Sequence, residues 1–300
     1  MDHKDFLKNL SKDAKAGLTE RSDKAGIRHL ALHGVCIMIC AILIAAKVPF
    51  WWLLLVPQGI LIAFLFTLEH EATHKTPFEN EAVNEWVGWG SGLLIFQPFL
   101  WFRYFHLMHH RFTNIPEHDP ELAGLPKPDN WPDFLWHLSS IDYWKSKVVL
   151  FATLAFGRID SPYLPERAHP RLRREARRML VIYSAAFAFS VLINPVLLWV
   201  WVLPLMIGFP FLRLYLLAEH GRCPTVANMF DNTRTTYTNA IVRFLAWNMP
   251  YHVEHHVFPQ VPFYLLPEFH QQIQDHLSVT NNGYVSFTYE YVADFESHVK

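Results

Sequence analysis

Long apolar runs, separated by polar blocks rich in histidine, constrain the fold of this chain more than any other feature. Residues 30–46 include only one strongly polar side chain, that of His33, and a second apolar run covers residues 50–68. Each run is about as long as a helix that crosses a bilayer, which needs roughly 17 to 25 residues. Only Lys47, Val48 and Pro49 separate the two runs, so the sequence predicts a transmembrane hairpin with a short outer turn.

A second hairpin is predicted much later in the chain. Residues 180–193 and 196–218 are apolar, and Asn194 and Pro195 form the turn between them. The first arm is short unless the helix also includes the preceding arginines, whose long side chains can extend to the membrane interface. We therefore expect an all-α integral membrane protein. Its four transmembrane helices form two hairpins, and residues 1–300 make up a single membrane domain.

The composition excludes several other classes of protein. Hydrophobic residues make up 51% of the chain and charged residues only 18%, against the roughly 25% of charged residues that is usual in soluble domains. Three cysteines and 12 glycines exclude a disulfide scaffold and a collagen. A formal net charge of −1 gives no general attraction to nucleic acid, and none is expected as a partner.

A polar stretch between the hairpins contains one further apolar segment, residues 86–102. Gly88, Gly90, Gly92 and Pro98 interrupt it, which favours a re-entrant or interfacial segment over a full span. A fifth full span would place the histidines on either side of it on opposite faces of the membrane. The site proposed below would then be impossible.

The distribution of basic residues predicts the orientation. Basic residues are numerous before the first run and before residue 180, whereas the two outer turns offer only Lys47. The positive-inside rule therefore places both termini and the long middle stretch, with its histidines, in the cytoplasm. We expect a multi-pass protein whose cytoplasmic helical cap holds the histidine clusters.

Three histidine clusters carry the functional prediction. A lone histidine is usually a surface residue or a hydrogen-bonded core residue, but eight of them in three tight clusters are hard to explain by composition. On a helix, residues three or four apart share a face, so each cluster can direct its imidazoles to one point. The clusters are an HxxxH at His70 and His74, an HxxHH at His106, His109 and His110, and a second HxxHH at His252, His255 and His256.

Eight imidazoles exceed what one metal ion needs. A structural zinc takes four ligands, so eight ligands imply two ions, and neutral imidazole suits iron, zinc, copper and nickel. A pair of redox-active iron ions can activate O2. The competing motif is HExxH, the zinc-peptidase signature, which residues His70, Glu71 and His74 also fit. A peptidase would leave the six other histidines unexplained. A non-catalytic membrane metal carrier is a further alternative, which the identity of the metal would distinguish.

With these three boxes in this order and spacing, the sequence resembles the integral-membrane fatty acid desaturase and hydroxylase superfamily. The resemblance runs from about residue 30 to residue 270, and residues 248–259, around the third box, look like the corresponding region of bacterial acyl desaturases. It implies a di-iron centre and an enzyme that uses O2 and two electrons. It also implies one more ligand just after the fourth span, a place that His220 occupies.

Ligating imidazoles usually have their second ring nitrogen held by a carboxylate or a carbonyl. The candidates for this role are polar residues next to the boxes. His118 lies outside the boxes, and we expect a loop role for it. Arg234 is a candidate either for binding a substrate headgroup or for stabilising a loop. The candidate partners of the imidazoles are Glu69, Glu71, Asp119, Glu219, Asn248 and Glu254.

The predicted reaction is an O2-dependent oxidation of an unactivated C–H bond, and the first candidate is desaturation of a fatty acyl chain or lipid. The alternative is a hydroxylase or monooxygenase, including O- or N-demethylating enzymes. No nicotinamide or flavin motif is present, three cysteines cannot hold an iron–sulfur cluster, and 28 residues before the first span are too few for a haem domain. We therefore expect a separate ferredoxin, rubredoxin or cytochrome with its reductase.

Overall fold

The structure is a computed structural model that describes residues 2–124 and 126–297. This part of the chain is mostly helical, and its only strand pairing is a two-residue parallel bridge between β1 (Thr235–Thr236) and β2 (Thr280–Asn281). The α-helices are α1 (His3–Asn9), α2 (Lys12–Leu18), α3 (Asp23–Ala45), α4 (Leu55–Ala63), α5 (Leu65–Thr73), α6 (Glu81–Leu94), α7 (Phe99–Phe112), α8 (Trp131–Ser139), α9 (Ile141–Phe156), α10 (His169–Leu192), α11 (Leu203–His220), α12 (Met229–Asn232), α13 (Ala240–Leu245), α14 (His252–Val257), α15 (Leu266–Ile273) and α16 (Tyr284–Ser297).

Three helical segments are long and apolar enough to cross a membrane: Lys12–Ala45, Trp51–Thr73 and Leu198–His220. They overlap three of the four predicted spans. The second segment extends beyond the predicted end at residue 68, because α5 continues to Thr73. His70 therefore lies on the helix itself rather than in a loop after it.

The remaining predicted span, residues 180–193, forms the end of α10 and is not among these three segments. Its apolar part, residues 179–192, is shorter than a typical span of roughly 17 residues or more. Glu175, Arg177 and Arg178 precede it within the same helix. Three charged side chains next to a short apolar part explain why α10 differs from the other three segments.

The interrupted segment at residues 86–102 forms parts of two helices. α6 ends at Leu94, and α7 begins directly after Pro98. The expectation that its glycines break the helix is wrong, because Gly88, Gly90 and Gly92 all lie inside α6. A Cβ atom on Gly92 would lie 2.3 Å from the Gln97 carbonyl oxygen, so this glycine lets the chain after α6 pack closely against the helix.

Two glycines let α4 and α11 come into backbone contact. A Cβ atom on Gly59 would lie 1.9 Å from the Pro204 carbonyl oxygen, and one on Gly208 would lie 2.0 Å from the Gly59 carbonyl carbon. Small residues allow this close approach between apolar helices, where van der Waals packing replaces the hydrophobic effect. The α4–α11 contact fixes α5 and the end of α11, which both carry histidines.

The short helix α14 is held within the main core of the molecule. Val253 and Val257 are buried in the same cluster as Phe209 and Leu68. Trp247, which precedes α14, is fully buried, and its indole Nε1 donates a hydrogen bond to His33 Nδ1 at 3.2 Å. A six-residue helix is marginal by itself, so this packing determines its position.

Replacing Gly208 with alanine is expected to lower the thermal unfolding temperature in detergent, because the new methyl group overlaps the Gly59 backbone. Overpacking of this kind costs about 1–3 kcal/mol. Gly34→Ala in α3 is the matched control, since a Cβ atom there has no neighbour within 4 Å and alanine favours a helix by roughly 0.5–1 kcal/mol. An unfolding temperature for Gly208→Ala equal to that of Gly34→Ala would contradict the close contact.

Candidate metal centre

Nine histidines from four helices meet in the interior of the protein. α5 carries His70 and ends at His74, and α11 ends at His220. α7 and α14 carry the two HxxHH boxes. Seven of the nine histidines are at most 5% exposed, namely His70, His106, His109, His220, His252, His255 and His256.

Five of these side chains form what we term the first imidazole group. Ligand nitrogens of His70, His106, His110 and His255 all lie within 4.8 Å of one another. His74 joins them, since its Nε2 lies 2.9 Å from Nε2 of His106. A second close pair joins Nε2 of His255 to Nε2 of His110 at 3.1 Å.

The other four form the second imidazole group. Ligand nitrogens of His109, His220 and His256 lie within 4.8 Å of one another. Nε2 of His252 lies 3.1 Å from Nε2 of His220 and 3.1 Å from Nε2 of His256. The rings of His110 and His256 stack at 4.1 Å, so the two groups adjoin.

Each HxxHH box divides its histidines between the two groups. In α7, His106 and His110 join the first group and His109 the second, whereas α14 gives His255 to the first group and His252 and His256 to the second. Successive helical residues are about 100° apart, so positions i and i+4 face nearly the same way while i+3 lies about 100° from i+4. His70 and His74 complete the first group, and His220 completes the second.

The contacts between Nε2 atoms fit a bound cation better than hydrogen bonds. Nitrogens that bind one ion at about 2.1 Å and at right angles to each other are roughly 3.0 Å apart, close to the 2.9–3.2 Å separations here. Two unprotonated nitrogens facing each other repel unless a cation or proton lies between them. The residues present therefore fit a pair of metal ions.

Burial keeps most of these imidazoles neutral, which is the form that binds metal. Removal from water lowers the pKa of His106, His110, His252, His255 and His256 well below the usual range. His109 is the exception. Burial lowers its pKa too, but the carboxylates of Glu121 and Asp119 outweigh that effect, and the net direction is upward.

Asp119 holds the ring of His109 in place. Its two carboxylate oxygens each lie 2.9 Å from His109 Nδ1, and one of them accepts a 2.7 Å hydrogen bond from the Asn114 backbone N–H. Asp119 is buried. With Nδ1–H donated to a carboxylate, Nε2 of His109 carries the lone pair that faces the second imidazole group.

Other imidazoles have different outer partners. The Glu219 carboxylate lies 3.4 Å from His252 Nδ1, and the Asn232 carbonyl oxygen lies 3.3 Å from His220 Nδ1. The Thr113 hydroxyl lies 3.1 Å from His256 Nδ1. The sequence indicated Glu219, but a backbone carbonyl and a threonine hydroxyl carry no signal in a sequence motif.

Four of the expected outer partners bind elsewhere, and Glu71 and Asn248 are the first two. Glu71 accepts hydrogen bonds from the Phe263 N–H at 2.7 Å and the Thr76 hydroxyl at 2.8 Å, so both of its oxygens have partners. The zinc-peptidase interpretation needs that carboxylate to activate water, and the geometry does not support it. Asn248 donates to the Phe263 carbonyl oxygen at 3.0 Å.

Glu254 connects α14 to its neighbours instead of to an imidazole of the box. Its carboxylate lies 2.5 Å from His270 Nδ1 on α15 and accepts a 2.6 Å hydrogen bond from the Thr235 hydroxyl on β1. Glu69, also considered, accepts a 2.9 Å hydrogen bond from Gln97. These contacts position the helices that carry the histidines.

Two further residues lie outside both imidazole groups. His118 is exposed and contacts the Pro116 carbonyl oxygen and the Phe112 ring. Arg234 is buried, donates a 2.5 Å hydrogen bond to the Ala218 carbonyl oxygen and lies over the Phe287 ring. Its contacts favour the loop-stabilising role over substrate binding.

A cavity of about 490 Å³ borders the centre. This volume is within the range of small-molecule sites. Its wall includes His70, His106, His109 and His252, and next to them Phe66, Trp101, Phe102 and Phe105. Sequence alone did not identify which aromatic residues line it. Trp247 does not line the cavity and belongs to the main core.

Comparisons with known proteins agree with this geometry. The family model described as fatty acid desaturase matches residues 46–288, and the chain therefore belongs to the fatty acid desaturase family.

Individual relatives are distant. The chloroplastic omega-6 fatty acid desaturase of Brassica napus is 24% identical over 77% of this chain. The sn-1 oleoyl-lipid 12-desaturase of Arthrospira platensis is 24% identical over 72% of it, and the dihydrorhizobitoxine desaturase of Bradyrhizobium elkanii is 27% identical over 76%. The matched regions span 56%, 67% and 70% of these relatives, so this chain corresponds to little more than half of the Brassica protein.

Replacing Asp119 with asparagine is expected to weaken metal binding, because the ring of His109 loses its charged partner. Loss of such a partner typically costs 10–100-fold in metal affinity. Metal retained after a chelator challenge, measured by elemental analysis, tests this expectation. Glu117→Gln, on the same loop and exposed, is the control and should retain metal as the unaltered protein does. Equal retention by both variants would contradict the role of Asp119.

Proposed function

We propose that this member of the fatty acid desaturase family is an O2-dependent di-iron oxidoreductase that desaturates a fatty acyl chain or lipid. The observation that carries the proposal is the meeting of nine imidazoles, seven of them buried, in two adjoining groups beside a cavity. Names of the relatives, all desaturases, favour desaturation over hydroxylation. Redox-active iron is the metal we expect, since imidazole ligands suit it and the reaction needs electrons.

The proposed reaction converts a –CH2–CH2– unit, O2, two electrons and two protons into –CH=CH– and two waters. The first imidazole group would hold one iron ion and the second group the other. When bound, the iron pair supplies the reduction of O2 and the removal of hydrogen from the alkyl chain. Hydroxylation would insert one oxygen atom at the same site instead, and the product distinguishes the two.

The protein's own residues position the reactants and exclude water. Asp119, Glu219 and the Asn232 carbonyl orient three of the imidazoles. Phe66, Phe102 and Phe105 form an apolar wall next to His70 and His106, against which an alkyl chain can pack. A dry site protects a strong oxidant from side reactions.

We further propose that α10 supplies a fourth span and that both termini and the imidazole groups face the cytoplasm. Exposed apolar side chains on α10 support this topology, since Val181, Phe187 and Leu192 are 69%, 68% and 80% exposed. Such a face is stable against lipid but not against water. Arginines at the start of α10 agree with a cytoplasmic position for that end.

Electrons would come from a separate ferredoxin, rubredoxin or cytochrome with its reductase. Cys36 and Cys40 lie on α3, and Cys223 follows α11. None of the three belongs to the clusters of candidate metal ligands. We therefore expect the electron donor to be a separate protein that docks on the cytoplasmic side of this one.

Replacing His255 with alanine is expected to reduce desaturation by more than about a hundredfold, since it removes a ligand rather than an outer partner. Mass spectrometry of host lipids measures the loss of species lighter by two hydrogens, and iron content of the purified variant should fall as well. His118→Ala is the control and should remain close to full activity. Full activity of His255→Ala would refute the di-iron assignment, and a product heavier by one oxygen would identify a hydroxylase.

The topology can be tested with single cysteines at Lys47, Asn194 and Glu117 in a chain that lacks its native cysteines. A membrane-impermeant maleimide applied to intact spheroplasts should label positions 47 and 194, whereas position 117 should react only after permeabilisation. Labelling of positions 47 and 194 from opposite sides would mean that α10 does not cross the membrane.

A further inference from the structure

The cavity beside the imidazole groups also has charged side chains in its lining, although an alkyl chain needs no charge there. Besides the histidines and the aromatic residues, the lining includes Lys147, Arg213 and Tyr143. Lys147 comes from α9 and Arg213 from α11, so two elements bring these two cations to one cavity.

Lys147 is a buried ammonium group that forms no ion pair with any residue that the structure describes. It is 6% exposed, and its Nζ donates a 2.5 Å hydrogen bond to Gln97 Oε1. Its other neighbours are the faces of Trp101 and Tyr143, 4.9 and 4.7 Å from Nζ to the ring centroids. Burial lowers the pKa of Lys147 to about 7, and this effect outweighs the opposing effect of the Glu69 carboxylate.

Arg213 also lies near the Tyr143 ring. Its Cζ lies 5.9 Å from the centroid of the Tyr143 ring, and Nη2 donates a 2.7 Å hydrogen bond to His137 Nδ1. Its buried Nε has no hydrogen-bond partner. A guanidinium group inside an apolar helix is costly, and such residues usually bind a substrate or ion.

The carboxylates near the cavity make other contacts, and Glu69 acts on Lys147 only at a distance, through the Gln97 side chain that both residues contact. Glu69 accepts from Gln97 Nε2, while Glu219 and Glu121 lie 3.4 and 3.5 Å from the imidazoles of His252 and His109. Among the described residues, no carboxylate oxygen lies within the 4.0 Å of an ion pair from Lys147 or Arg213. Two cations therefore share one cavity without a contacting anion.

We propose that Lys147 and Arg213 bind a carboxylate group of the substrate. This inference rests on the proposed function and narrows its substrate class to carboxylic acids that enter the cavity with the charged end first. Because the same cavity borders the cations and four of the imidazoles, one substrate molecule in it can contact both. A glycerolipid, whose acyl carboxyl is an uncharged ester, does not satisfy these cations.

Binding of hexanoate to the iron-loaded protein in detergent, measured by calorimetry, tests the proposal without turnover. Hexanamide, of the same length but uncharged, is the ligand control. Lys147→Met and Arg213→Met are each expected to raise the Kd of hexanoate about ten- to a hundredfold, because a hydrogen bond to a charged group contributes about 1.5–3 kcal/mol. Lys145→Met is the matched control, since Lys145 is exposed on the same helix. The Kd of this variant for hexanoate should equal that of the unaltered protein.

These outcomes test the carboxylate-binding site independently of the proposed desaturation reaction. Equal affinity of the unaltered protein for hexanoate and hexanamide would overturn it, as would an unchanged Kd in folded Lys147→Met and Arg213→Met with normal iron content. Desaturation of phosphatidylcholine acyl chains at the unaltered rate by those variants would also overturn it and point to a lipid substrate. If hexanoate binding depends on both cations but the protein contains zinc and no iron, the anion site stands and the proposed function fails.

Discussion

The structure depends on holding nine imidazoles together in the interior, with several pairs of Nε2 atoms only about 3 Å apart. Neutral rings in such an arrangement repel unless a cation lies between them, so the centre is stable as a metal site rather than as a hydrogen-bonded network. Several features of the surrounding fold serve this constraint. Asp119 determines which ring nitrogen of His109 is free to bind metal. Burial keeps the other histidines of the two HxxHH boxes unprotonated.

Positions of the four histidine-bearing helices follow from a few contacts elsewhere in the chain. Gly59 and Gly208 bring α4 and α11 together, and His70 on the following α5 and His220 at the end of α11 contribute to different imidazole groups. Glu254 attaches α14 to α15 and to β1. The core around Val253 and Trp247 holds the short α14 in place where its own propensity cannot.

The sequence indicated the fold class, three apolar spans and the histidines that meet, because apolar length and helical spacing are local properties. It did not indicate which histidines share a group, since that depends on how α7 and α14 face each other across the chain. The outer partners of the imidazoles were harder to predict from the sequence. Asp119 and Glu219 do lie beside imidazoles. Glu71, Asn248 and Glu254 are close to the boxes in the sequence but bind other groups.

The sequence patterns also did not predict the charged side chains that line the cavity. Lys147 and Arg213 belong to no motif, and only the packing of α9 against the cavity brings the two cations together. Their presence beside the imidazoles distinguishes this site from a purely apolar acyl channel. It also links the metal centre to the choice of substrate.

Metal content of the purified, unaltered protein tests the central claim most directly. Elemental analysis combined with quantified protein is expected to give two iron ions per chain, one for each imidazole group. X-ray absorption at the iron edge should then report a first shell dominated by imidazole nitrogen. One zinc ion per chain, without iron, would contradict the account.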